Sequence, residues 1–227
     1  MRKTKSLFQL AQFWLFPIFG LLFFIFFYLA YGEEKFQAIA FYSWLWAASN
    51  LVLIGLLLYY PTLNKKGLAG IPDFDEPITL TNLIYAVFTA LITYILLGFF
   101  NLQFIAYVPL SLTTAIYTPV MQFSWQLFIV AWSEEVLAYI LYFTGLFFPP
   151  IKNDELKGWI GAVISRSVWA VFHLLRNPAI SQNPLYILPA FIAGLIFFIL
   201  LKITKSLPSV ALAHGILNWI SQFVISK

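Results

Sequence analysis

The chain contains no cysteine, which excludes disulfide bridges, thiolate catalysis and cysteine-ligated zinc and leaves the redox compartment open. Charge is scarce as well. Only 10% of residues are charged, against roughly 25% in a soluble domain. No basic stretch exceeds two or three residues, so the net charge of +4 does not point to nucleic acid. No internal repeat and no low-complexity tract is found, and the longest loop, roughly 61–79, is too short for a soluble domain. Histidine occurs twice, at His173 and His214.

What the chain has in excess is apolar surface: 62% of residues are hydrophobic and 20% aromatic. Mean hydropathy is +0.87. A larger core does not account for this, because a soluble fold must still cover its surface with polar groups. A bilayer removes that requirement, and aromatic residues suit its interfaces. Spanning roughly 30 Å of hydrocarbon takes about 20 residues of helix. Seven runs qualify, at about 7–31, 37–60, 80–100, 118–147, 158–176, 184–204 and 207–225. They are separated by Gly32-Glu33-Glu34-Lys35, Pro61 with Asn64-Lys65-Lys66-Gly67, Pro149-Pro150, Asn177-Pro178 and Lys205-Ser206-Leu207-Pro208. The stretch 102–117 is apolar but broken by Gln103, Pro109, Ser111, Thr113 and Thr114, which reads as an interfacial or re-entrant segment or an extension of the fourth helix. The fold class expected is all-α, a polytopic membrane protein of seven to eight helices forming a single transmembrane domain over residues 1–227.

Charge placement gives an independent test of that topology. With a cytoplasmic N-terminus, Arg2, Lys3, Lys5, Lys65, Lys66, Lys152, Lys157, Lys202 and Lys205 fall inside, and only Lys35, Arg176 and Lys227 outside. That is the asymmetry of the positive-inside rule. The first run is about 25 residues long with no small-x-small site after it, so it reads as an uncleaved helix rather than a signal peptide. A prokaryotic cell membrane is the expected location.

Seven of the nine acids lie in loops, leaving Glu134, Glu135, Arg166, His173 and His214 as the ionisable side chains within spans. A charge at a helix centre costs about 2.5–3.5 kcal/mol on insertion scales, so such residues mark a site by default. Glu134 and Glu135 are neighbours on one helix and point about 100° apart, so that one can face a cavity and the other a neighbouring helix. His214 and Asn218 are four apart and share a face, as do Trp169 and His173. Around them stand Gly161, Ala162, Ala170, Ala190, Ala193, Gly194, Ala211, Ala213 and Gly215, small residues that let membrane helices approach closely.

The segments Ser133-Glu134-Glu135-Val136-Leu137-Ala138-Tyr139, Trp169-Ala170-Val171-Phe172-His173 and His214-Gly215-Ile216-Leu217-Asn218 resemble the three motifs of the CAAX-protease and bacteriocin-processing family. Those motifs read EExxxR, (F/W)xxxH and HxxxN, in that order on successive membrane helices. The likeness covers about residues 118–225. It implies an intramembrane, glutamate-dependent endopeptidase of the type that trims prenylated CAAX tails, with its site between the fourth, fifth and seventh predicted helices. Carried over by position, Glu134 and His173 would activate a water, His214 and Asn218 would donate hydrogen bonds to the oxyanion, and Glu135 would support them. Withdrawal from bulk water strengthens a carboxylate as a base, and fixed donors in a low-dielectric pocket stabilise a tetrahedral intermediate. The implied partners are the lipid bilayer and a membrane-bound peptide or protein substrate, lipidated in the family's best-known case.

One departure stands out. The motif arginine is Tyr139 here, four residues after Glu135, and tyrosine offers a hydrogen bond but no charge. Arg166 is the one other cation in a span and shares a helix face with His173, so it is the candidate partner of Glu135; Tyr139, Arg166 and Trp169 are read as substrate-binding or supporting. Metal-free catalysis is expected, with zinc held by Glu134, His173 and His214 as the alternative. Two other functions compete with the peptidase. A catalytically silent relative acting as a membrane binding or immunity protein would fit the Tyr139 departure. A proton-coupled transporter would show inverted-repeat halves, and none is found.

Overall fold

The computed structural model of the protein describes residues 48, 74, 76–99, 123, 126–142, 152–176 and 187–224. Among these residues the architecture is helical: α1 (Leu80–Phe99), a π-helical segment (Gln126–Ala131) continuing into α2 (Trp132–Tyr142), α3 (Asp154–Arg176), α4 (Ile187–Thr204) and α5 (Leu207–Val224). The predicted runs 80–100, 118–147, 158–176, 184–204 and 207–225 coincide in turn with α1, the π-helical segment with α2, all but the first turn of α3, α4 and α5. The runs 7–31 and 37–60 and the stretch 102–117 lie outside the described residues, and with them the count of seven.

Local chemistry sets the helix ends. The Thr79 hydroxyl accepts a hydrogen bond from the Asn82 amide at 3.1 Å, and Asn153 Oδ1 accepts one from the Leu156 amide at 3.1 Å. Both are N-caps three residues ahead of the amide they satisfy. The Asn153 cap starts α3 at Asp154, four residues before the apolar run, because Asp154 and Glu155 suit the positive end of the helix dipole. Lys205 sits at φ 53°, in the left-handed region that ends a helix, and Ser206 then caps α5 through its hydroxyl on the Ser209 amide. The two helices are therefore joined by two residues.

The distribution of side-chain size is the reverse of a soluble helix. In α1 the inward face carries Ala86, Ala90, Thr93 and Leu97, while Leu80, Ile84, Phe88, Ile92, Ile95 and Phe99 face outward. Large apolar residues outside and small ones inside suit a hydrocarbon solvent, where close helix contact rather than hydrophobic burial drives packing. Helices α1 and α4 are long and apolar enough to cross a membrane, with mean hydropathies of 1.9 and 2.4.

Helix α5 is the hub, packing on α1, α4, α2 and the π-helical segment, while α3 packs on α2 and α4. Gly215 permits a close approach to the π-helical segment, since a Cβ there would lie 2.6 Å from the backbone Cα of Leu127. The segment ahead of α1 is tied to the α4–α5 turn: the Glu76 amide donates to Lys205 O at 2.9 Å and the Leu207 amide to Phe74 O at 2.8 Å. Phe74 is fully buried, its ring 4.5 Å from that of Tyr139. Lys202 reaches Glu155 at the start of α3, 3.2 Å away. The segment before α1, the start of α3 and the α4–α5 turn thus share one end of the bundle, as charge counting expects of Lys152, Lys157, Lys202 and Lys205.

Candidate active site

The π-helical segment ends two residues before Ser133 and the paired acids; such segments recur at functional sites because they shift the facing of the residues that follow. Glu134 and Glu135 then emerge from the first turn of α2, both buried, on different sides of the helix.

Glu135 turns toward α3 and α5. Arg166 Nη2 donates to its Oε2 at 2.6 Å and Nη1 to its Oε1 at 3.2 Å, a two-pronged contact with both side chains shielded from solvent. The cation missing from position 139 is therefore supplied from the next helix. Tyr139 itself packs its ring against Phe74 and, at 5.6 Å, against Tyr142. The Tyr142 hydroxyl accepts from Arg166 Nε at 3.0 Å and Nη2 at 2.7 Å. Gly194 on α4 makes room for the arginine stem, because a Cβ there would lie 2.7 Å from Arg166 Cδ. Ser165, the neighbour of Arg166, donates its hydroxyl to Ala138 O and fixes α3 against α2.

His214 meets the same carboxylate, with Nδ1 2.8 Å from Glu135 Oε1. A carboxylate paired with arginine is an acceptor, so Nδ1 carries the proton of this bond. The opposite nitrogen, Nε2, faces Glu134 Oε2 at 3.6 Å, beyond hydrogen-bond length, and is buried without a hydrogen-bond partner. Phe197 stacks on the imidazole with centroids 5.2 Å apart and planes at 28°.

His173 approaches Glu134 from α3. Its Nδ1 donates to the backbone oxygen of Trp169 at 2.9 Å, which leaves Nε2 facing Glu134 Oε2 at 4.0 Å. His173 stands near the C-terminal end of α3, whereas His214 lies in the first half of α5. Helix α5 begins level with Tyr139, through Phe74, whereas the first turns of α3 extend past it to Trp159, which meets Tyr142 through Phe198. That offset brings the imidazoles to one carboxylate. The Trp169 ring lies edge-on to both, at 4.6 Å from His173 and 5.5 Å from His214. Its indole N–H faces the Glu134 carboxylate without closing a regular hydrogen bond.

Asn218 is buried one turn beyond His214 on α5, and its Oδ1 has no hydrogen-bond partner. Contacts thus bring together Glu134, Glu135, Arg166, Trp169, His173 and His214, while Asn218 joins them by its place on the His214 face. Tyr142, Gly194 and Phe197 escaped the sequence reading as site residues. Tyr142 carried a signal, standing seven residues after Glu135 and hence on its face of the helix. Phe197 carried none.

The zinc alternative asks for three ligands about 2.0 Å from one ion, which sets them roughly 3.3 Å apart in a tetrahedron. The Glu134–His214 and Glu134–His173 separations of 3.6 and 4.0 Å are wider. Among the described residues no group of three or more His, Cys, Asp or Glu side chains comes together to hold a metal. The Nδ1 partners of both rings are of the kind that orient metal-bound histidines, but they serve equally to orient a ring toward water.

No curated protein and no solved structure matches the chain. Residues 115–220 match the family described as Rce1-like, type II CAAX prenyl endopeptidase Rce1-like. That segment holds all three motifs and every side chain of the site, and the apolar helices around it suit an integral membrane protein. Over that segment, the chain is similar to the CAAX protease family.

Proposed function

We propose that the protein is an intramembrane endopeptidase that hydrolyses a peptide bond of a membrane-associated protein, using Glu134 as base without a metal. The observation that carries this reading is the setting of Glu134 Oε2 between two imidazoles, 3.6 Å from His214 Nε2 and 4.0 Å from His173 Nε2, each ring held through Nδ1 by a different acceptor. Gaps of that size suit a water or a substrate carbonyl among the three groups.

Glu134 takes a proton from the water, and His173 Nε2 accepts its second hydrogen and orients it. The hydroxyl adds to the carbonyl carbon, and Glu134 returns the proton to the departing amine nitrogen as the C–N bond breaks. Asn218 and His214 donate to the oxyanion. Because Nδ1–H of His214 already serves Glu135, donation from Nε2 requires the ring to carry both protons, and its positive charge then lies between Glu135 and Glu134. The silent-relative reading rested on the missing arginine at position 139, and Arg166 on Glu135 removes that support. The N-terminus is cytoplasmic in this proposal.

The test is mass-spectrometric mapping of cleavage in a panel of membrane peptides, prenylated and unmodified, by the reconstituted protein and its Glu134→Gln and His173→Ala variants. Cleavage lost in both variants supports the reading. Wild-type cleavage in both, or none by the wild type across the panel, refutes it.

A further inference from the structure

We infer that Arg166 is a positioning residue that acts through Glu135 on His214, fixing which nitrogen of that imidazole carries the shared proton. The inference rests on the peptidase reading for its consequence in catalysis, but not for its physical content.

Four observations bear on it. The guanidinium is built in rather than incidental: it is buried, engages both oxygens of Glu135, and gives Nε and Nη2 to the Tyr142 hydroxyl. Its carbon also lies 5.6 Å from the Tyr142 ring centroid and 5.7 Å from that of Trp169. The socket depends on the absence of a side chain at Gly194. Finally, Glu135 Oε1 is shared, receiving Arg166 Nη1 on one side and His214 Nδ1 on the other. An arginine in this geometry commits the carboxylate to the ionised, acceptor-only form. A ring facing such an oxygen must present N–H, so His214 is held with its proton on Nδ1 and its Nε2 directed at Glu134.

Without the guanidinium, Glu135 would be a buried lone acid able to keep its own proton and donate it. His214 Nδ1 would then accept, the neutral ring would carry its proton on Nε2, and the Nδ1 anchor would reverse. Arg166 never touches the reacting atoms; it sets the polarity of a chain of hydrogen bonds that ends at His214, whose Nε2 faces Glu134.

The chain has only two histidines, so the prediction can be read directly. In full-length protein labelled with 15N-histidine in lipid nanodiscs, His173→Gln assigns the remaining imidazole to His214. The expected wild-type spectrum shows a hydrogen-bonded proton on Nδ1 of His214. Arg166→Met should abolish that resonance. Should Arg166→Met not fold, Tyr142→Phe keeps the ring and removes the hydroxyl that holds the guanidinium, and should shift the same resonance. A His214 protonated on Nε2 alone in the wild type, or an unchanged His214 spectrum in the folded variants, overturns the inference. With a cleaved substrate, Arg166→Met should lower kcat by at least tenfold at nearly constant KM. A spectrum that responds in a protein that cleaves nothing would leave the positioning role standing and remove the peptidase reading.

Discussion

Gly194 stands against the middle of the Arg166 side chain, and no larger residue fits there without moving it: an added Cβ would lie 2.7 Å from Cδ, 3.1 Å from Cγ and 3.3 Å from Cβ of the arginine. The arginine cannot slide away freely, because its far end is fixed by Glu135 and Tyr142. A methyl group on α4 therefore acts on a carboxylate of α2 through a side chain of α3.

Gly194→Ala should lower stability by about 1–3 kcal/mol, the usual range for overpacking, and should reduce cleavage by displacing the guanidinium. Combined with Arg166→Met, the same substitution should cost much less than the sum of the two single changes. Unfolding of the four proteins in a double-mutant cycle reads this coupling, and strict additivity would contradict the contact.

Gly215→Ala should be worse tolerated than Gly194→Ala. Its Cβ would meet the Cα of Leu127 at 2.6 Å, a backbone atom that no rotamer change can move. Truncating the neighbour with Leu127→Ala should not rescue it, since the Cα remains. Thermal melts of the two single variants and the pair would show the order.

The Glu135–Arg166 pair should behave as a buried ion pair does. Removing either charge alone, by Glu135→Gln or Arg166→Met, should cost about 3–5 kcal/mol, whereas removing both should cost less than either. Denaturant unfolding in mixed micelles checks the sign of the interaction.

In the site proper, Glu134→Gln should lower kcat by about 10²–10⁴-fold, the range of general base catalysis, with little change in melting temperature. Asn218→Ala should lower kcat by about 10²–10³-fold as the loss of one oxyanion donor. Progress curves under saturating substrate separate these from binding defects; an effect confined to KM would argue against both roles.

Chelation provides a further check. Because the Glu134 and histidine atoms are spaced more widely than a zinc tetrahedron requires, cleavage should survive prolonged treatment with a strong chelator. Activity lost on chelation and restored by zinc would transfer Glu134, His173 and His214 to the metal role.

Which side chains cluster was largely legible in the sequence, and the reason is physical. Where nearly every span residue is apolar, the cost of an intramembrane charge makes each remaining acid, base and histidine conspicuous. That argument alone singled out Glu134, Glu135, Arg166, His173 and His214. It could not supply Phe197 or Gly194, because apolar and small residues carry no such signature in a membrane chain. Nor could it give the relative depth of α3 and α5, which depends on Phe74 and the α4–α5 turn rather than on run lengths. The start of α3 was offset by a polar cap, Asn153, that hydropathy does not weigh.

The placement of Phe74 bears on how small a working unit can be. The family-matching stretch begins at residue 115, yet this ring lies forty residues upstream, wedged beside Tyr139 and bonded through its carbonyl to the first residue of the helix that bears His214. Helix α1, also upstream, packs on that same helix. Excision of the stretch 115–220 as a minimal protease would strip α5 of two of its supports, and rescue should require co-expression of the upstream half in trans.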